Sequence, residues 1–244
     1  MKSRGLRLLI VVVSFIAVSA VFLNVGLVTH SKRLSSTTLA TPSTSTTVRA
    51  AVAATLPQPA VLTSSSMSLA AAPVAVPMTV EIPSIGVSSH VLAVGMTAAH
   101  AMYAPEGGPN SANWGDTFWY RGSSLPGASG TATIAGHIDD AYGRYAVFGR
   151  LSSLVPGNRI IIHYTNSGLT ATFQVTATHA YTLAQSKTIP VLDLIYGYGP
   201  PHGRQPTRAK DGRAHLSLVT CAGSWDAKLS THNERLVVSA VRIS

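Results

Sequence analysis

Cys221 is the single cysteine of a 244-residue chain. One thiol cannot close an intrachain disulfide, and it excludes any zinc site that draws two or more cysteines from one chain. It ends the apolar run His215-Leu216-Ser217-Leu218-Val219-Thr220-Cys221, and Ala222-Gly223-Ser224 follows as a strand break. That predicts a thiol at the rim of a sheet. Two readings stand at this point: a nucleophile, or a small buried hydrophobe. A nucleophilic thiol needs a neighbour that generates or stabilises the thiolate. Nine histidines are available. His137 comes directly after the strand-like Thr131-Ala132-Thr133-Ile134-Ala135, separated by Gly136, which permits a turn or a close approach. His232 is the competing partner, shortly before the last strand. Arg235 opens that strand, Arg235-Leu236-Val237-Val238-Ser239-Ala240-Val241. There its guanidinium either ends a strand in solvent or donates hydrogen bonds to an oxyanion developing beside the thiol.

The elements that must position these residues are mostly strands. Thr170 to Thr178 alternates, with Ala171, Phe173, Val175 and Ala177 on one face and Thr or Gln on the other. Arg159 to Tyr164 precedes it, and Asn166-Ser167-Gly168 supplies the turn of a β-hairpin. Pro156-Gly157 turns the chain into that hairpin. Further strands are expected at Met78–Ile82, Val91–Val94, Thr117–Tyr120, Thr131–Ala135, Leu192–Tyr196, His215–Thr220 and Leu236–Ile243. A short helix is expected over Ala146–Leu154, where Val147, Leu151 and Leu154 share a helical face. Many short strands with one or two short helices make an all-β barrel or sandwich. No helix-strand alternation calls for a parallel sheet. The Gly-, Pro- and base-rich stretch Tyr196–Arg213 reads as a long loop before the cysteine strand.

Charge divides the chain. The formal net charge is +9, which suggests nucleic acid or an anionic membrane surface. Residues 1–80, however, hold six basic and no acidic residues, a net +6, and residues 81–244 hold twelve basic and nine acidic, a net +3. A net +3 over the body is modest for a nucleic-acid binder. Leu8 to Val28 is an uncharged apolar run of 21 residues, long enough to span a bilayer. Lys2, Arg4 and Arg7 precede it and predict a cytoplasmic N-terminus with an exported body. A cleaved signal peptide ending near Val18-Ser19-Ala20 is the alternative, although apolar residues continue past it. Residues 31–77 are rich in Ser, Thr, Ala and Pro. Such a segment cannot bury enough apolar surface to offset its ordering entropy and reads as a tether. The expected organisation is therefore an anchor over 1–30, a linker over 31–77 and a folded body over 78–244.

Taken together, several segments resemble one family. Thr133-Ile134-Ala135-Gly136-His137-Ile138-Asp139, Ala146-Val147-Phe148-Gly149-Arg150-Leu151, Leu154-Val155-Pro156-Gly157-Asn158, Leu218-Val219-Thr220-Cys221-Ala222-Gly223-Ser224-Trp225-Asp226 and Arg235-Leu236-Val237-Val238 carry the likeness. They resemble the sortases, and locally the class F sortases of actinobacteria, over residues 79–244. The anchor and tether are similar to the usual sortase layout. The resemblance implies a sortase-type closed β-barrel and a cysteine transpeptidase. Such an enzyme cleaves an LPxTG-type sorting signal between Thr and Gly and joins the Thr carbonyl to an amine, such as that of a peptidoglycan precursor. It implies Cys221 as nucleophile, His137 as general acid and then base, and Arg235 as the group that orients substrate and stabilises the oxyanion. Thr220 matches the family pattern beside the nucleophile and is implied in substrate positioning. No metal or cofactor is implied, and no nucleic-acid partner.

Other functions fit less of the sequence. An LD-transpeptidase would carry Ser-His-Gly-Cys text, and Thr220 stands before Cys221 instead. No two histidines fall at a three- or four-residue spacing that would suit zinc. The alternative from another class is a wall-associated binding module whose cysteine is inert.

Overall fold

The computed structural model describes residues 72–98, 101–197, 209 and 211–244. The expected anchor at Leu8–Val28 and most of the expected linker lie outside the described residues. Among the described residues no helix is long and apolar enough to cross a membrane.

Eight strands close into a barrel: β1 (Val74–Ile82), β2 (Val87–Val94), β3 (Thr117–Tyr120), β4 (Gly130–Ala135), β5 (Arg159–Tyr164), β6 (Leu169–Thr182), β7 (Ala214–Asp226) and β8 (Thr231–Arg242). Their order around the barrel is β1-β2-β3-β4-β7-β8-β6-β5, and β5 pairs back onto β1. The expected mainly β class and closed barrel are therefore present. The β5–β6 hairpin forms as the alternation predicts, with Tyr164 opposite Leu169. Its inward residues Ile160, Ile162, Ala171 and Phe173 join Trp119, Ile134, Leu216 and Leu218 in one apolar core. Burying a side chain of this size contributes roughly 1.5–3 kcal/mol.

Five expectations need correction. Leu192–Tyr196 is not a strand but the end of α1 (Ile189–Tyr196). Pro190 stands in its first turn, and Gly197 closes it in the left-handed conformation at φ 73°, donating its N–H to Asp193 O. Val191 and Ile195, four residues apart, share the buried face of this helix against Val237. Ala146–Leu154 contains no α-helix, only a 3-10 turn over Leu151–Ser153. Phe148, Leu151 and Leu154 nonetheless plug the core. The sheet is not free of parallel pairing: β2 pairs β3 and β4 pairs β7 in parallel. β1 begins at Val74, so the linker expected to run to 77 ends earlier.

The fifth correction concerns the cysteine strand. Ala222-Gly223-Ser224 does not break it, because β7 runs on to Asp226. The register against β8 shifts between Ala222 and Trp225, and Gly223 takes φ +77° there. A glycine in that conformation supplies a β-bulge rather than a strand end.

Candidate active site

The strand period arranges the candidate residues. Leu216 and Leu218 of β7 point into the core beside Ala132 and Ile134 of β4 and Ala240 and Val238 of β8. Residues of opposite parity face outward. Thr133, Ser217 and Ser239 form one outward row across β4, β7 and β8, and Ala135, Val219 and Val237 form the next. α1 covers these rows: Thr133 Oγ1 donates to Ile195 O and Ser217 Oγ donates to Leu194 O, both at 2.7 Å. Cys221 pairs with Arg235 one step further along. His137 lies two residues beyond Ala135, and Gly136 N donates to Val219 O at 3.1 Å to carry β4 up to that level. The alternation thus puts Cys221 and Arg235 opposite each other on the outer face of β7 and β8, and His137 follows the end of the neighbouring strand β4 by two residues; adjacent strands lie about 4.8 Å apart. All three side chains are half-buried. For Cys221 that partial exposure is unlike the buried, inert cysteine of the alternative reading.

Each member has its own support. His137 Nε2 donates to Pro105 O at 2.9 Å. The edges of its ring meet Trp114 and Phe118, with ring centroids at 4.8 and 5.4 Å. Arg235 folds back along its own strand. Nη1 donates to His232 O at 2.9 Å and to Glu234 O at 2.7 Å, and Nη2 donates to Thr231 Oγ1 at 3.0 Å. A guanidinium has five N–H donors. Two therefore make no hydrogen bond among the described residues.

His232 is engaged elsewhere. Its Nε2 lies 3.0 Å from Asp139 Oδ2, its Nδ1 lies 3.1 Å from Gly223 O, and Trp225 packs edge-on against its ring. It ties the β7–β8 hairpin to the segment that follows His137. Thr220 faces inward opposite Leu236, on the face of β7 away from the thiol. It is 4% exposed, and its Oγ1 makes no hydrogen bond among the described residues.

Pro105, Trp114, Phe118 and Asp139, which pack around His137 and His232, carry no site signal of their own in the sequence. Pro105 lies 32 positions from His137, and no local pattern signals such a contact. Gly136 was legible, and its reason is close approach. A Cβ there would come within 2.7 Å of Phe148 Cδ2 and 2.8 Å of Val147 Cγ1. Gly136→Ala is accordingly expected to destabilise the fold by about 1–3 kcal/mol through overpacking. It should also cut turnover at least about tenfold by displacing the adjacent His137. Thermal denaturation and steady-state rates check the two effects separately.

A concavity of about 430 Å³ lies at the other end of β7 and is lined by Thr131, Asp193, Asp211 and His215 among others. Asp211 takes His215 Nε2 on both oxygens, at 3.0 and 2.9 Å. That hydrogen bond, with another from Arg213 N–H, holds the carboxyl below its ordinary pKa.

Residues 80–243 match the family model described as Sortase domain, which is more than half of the chain. The chain belongs to the sortase family. Solved structures with a similar chain course include sortase A from Corynebacterium diphtheriae (a lid mutant), 19% identical, covering 72% of this chain and 73% of that one, TM-score 0.45. Sortase C-1 from Actinomyces oris is 18% identical, covers 68% and 73%, and has a TM-score of 0.46. A Clostridium perfringens sortase D5 transpeptidase is 17% identical, covers 68% and 78%, and has a TM-score of 0.44. No curated protein matches the sequence. Membership in the sortase family rests on the domain match and implies a cysteine transpeptidase of cell-wall sorting, acting on sorting signals and amine acceptors.

Proposed function

We propose that this sortase is a membrane-anchored enzyme of class F type that cleaves an LPxTG-type signal between Thr and Gly. The Cys221 thiolate attacks the Thr carbonyl carbon, and Arg235 donates hydrogen bonds to the oxyanion that forms. The C–N bond breaks as protonated His137 passes its proton to the leaving amine. A thioacyl-enzyme remains. An amine of the cell wall then attacks the thioester, gives its proton to His137, and the thiolate leaves. No metal or cofactor enters these steps.

The observation that supports this reading is the pairing of half-exposed Cys221 with Arg235 across β7 and β8, with His137 two residues past the end of the adjacent strand β4. Leu8–Val28 supports an uncleaved anchor with the catalytic body outside the cell. A coil of the 43 residues from 31 to 73, the segment before β1, spans roughly 40 Å, enough to hold the barrel off the membrane within the wall. The +6 of residues 1–80 then serves topology and contact with anionic lipid or wall polymer rather than nucleic acid.

The test is the full chain in detergent with a library of LPxTG-type peptides and several primary amines, read by mass spectrometry. Cleavage after Thr with a ligated amine product is expected. Absence of both cleavage and ligation across the library would overturn the proposed specificity.

A further inference from the structure

His137 is held by a segment remote from it in the chain. Pro105 O lies 2.9 Å from Nε2. A carbonyl oxygen has no proton to give, so Nε2 carries the hydrogen and Nδ1 is the other nitrogen. Among the described residues Nδ1 makes no hydrogen bond.

The segment that presents this carbonyl is tied to itself. Asn113 Nδ2 donates to Glu106 O at 2.8 Å, Trp114 Nε1 donates to Gly108 O at 2.9 Å, and Ser111 N donates to Gly108 O at 2.9 Å. Gly107 packs so closely that a Cβ on it would come within 2.3 Å of Ser111 Oγ. The turn is also tied to the far side of the histidine. Val147 N donates to Trp114 O and Phe148 N donates to His137 O, both at 2.9 Å. Trp114 closes the circuit with its ring edge against the imidazole. Pro105 itself is buried. A contact made through so many mutual bonds is rigid, and rigidity is what an orienting group requires.

We infer that the Pro105–Trp114 turn is the orienting third member of the cysteine–histidine pair, its Pro105 carbonyl holding His137 as the Nε2–H tautomer so that Nδ1 carries the proton. Asn113 and Trp114 are the positioning residues. The inference rests on the acid/base role of His137 given above. When the amine leaves, the Nδ1 proton moves to its nitrogen as the C–N bond breaks, and neutral Nε2–H imidazole remains. When the second amine attacks the thioester, its proton moves to Nδ1. The Nε2–H bond to the carbonyl persists throughout.

The test is ¹⁵N NMR of the full chain in detergent with labelled histidine, His137 being assigned by the signal lost in His137→Gln. The neutral ring is expected as the Nε2–H tautomer, and an Nδ1–H tautomer would overturn the inference. Asn113→Ala frees Glu106 O and Trp114→Phe removes the indole bond to Gly108 O while keeping a ring edge. Each is expected to lower kcat on the order of tenfold with KM changed less than about twofold, and to mix the tautomers. A kcat loss that only follows the folded fraction, with the tautomer unchanged, counts against a positioning role. If the tautomer is Nδ1–H while Cys221→Ala and His137→Gln are inactive, this inference alone fails. If Cys221→Ala remains active, the underlying reading fails instead.

Discussion

Cys221→Ala is expected to abolish cleavage and transfer, a loss of at least about 10⁴-fold in kcat. Nothing else in the chain can replace the thiol, because Cys221 is the single cysteine. Arg235 is paired directly opposite it across β7 and β8. The change is small for the fold. Cys221 is half-buried on the outer face, away from the core formed by Leu216 and Leu218, so stability should move by less than about 1 kcal/mol. Mass spectrometry should find a thioacyl adduct on the native chain during turnover and none on the variant. A thermal melt should show both folded. Equal turnover by Cys221→Ala would end the thioacyl mechanism and favour the inert-cysteine alternative. Labelling by a thiol alkylator in the folded state provides an independent check on access.

The second large effect separates two histidines. His137→Gln is expected to lower kcat by about 10²–10⁴-fold, the usual contribution of a positioned acid and base. His232→Gln should retain most turnover. Both His232 nitrogens already face acceptors, Asp139 Oδ2 and Gly223 O. Its loss removes a tie between the β7–β8 hairpin and the residues after His137. The expected cost is about 1 kcal/mol of stability, with a modest change in rate. Loss of turnover with His232→Gln alone would overturn the assignment of His137. Steady-state kinetics on both variants, with melts to correct for folded fraction, decides between them.

These residues were legible for different reasons. The β5–β6 hairpin and the outward or inward side of each residue in β4 and β7 follow from period-2 alternation, which is local. Cys221, His137 and Arg235 each stand where the apolar strand text meets Gly or polar residues, although β7 continues past Cys221 to Asp226 and β8 begins before Arg235, at Thr231. α1 was misread because Leu192–Tyr196 is a short apolar run of ambiguous period. Its helical identity depends on Pro190 before it, Gly197 after it and the β8 residue Val237 that its buried face meets. Gly223 was read as a break because a glycine in a strand marks either an end or a bulge. Only pairing with β8 distinguishes the two.

The sequence by itself determined the chemistry on offer: one thiol, a histidine and an arginine on strand-forming text, behind an apolar run and a polar tether. The tertiary structure decided which of them meet. Antiparallel pairing set Cys221 opposite Arg235, and parallel pairing of Ala135 with Val219 brought the end of β4, just before His137, alongside β7. It also turned His232 toward Asp139 and brought Pro105 to His137. Such contacts join residues far apart in the chain. Their formation depends on barrel closure, which no local pattern encodes.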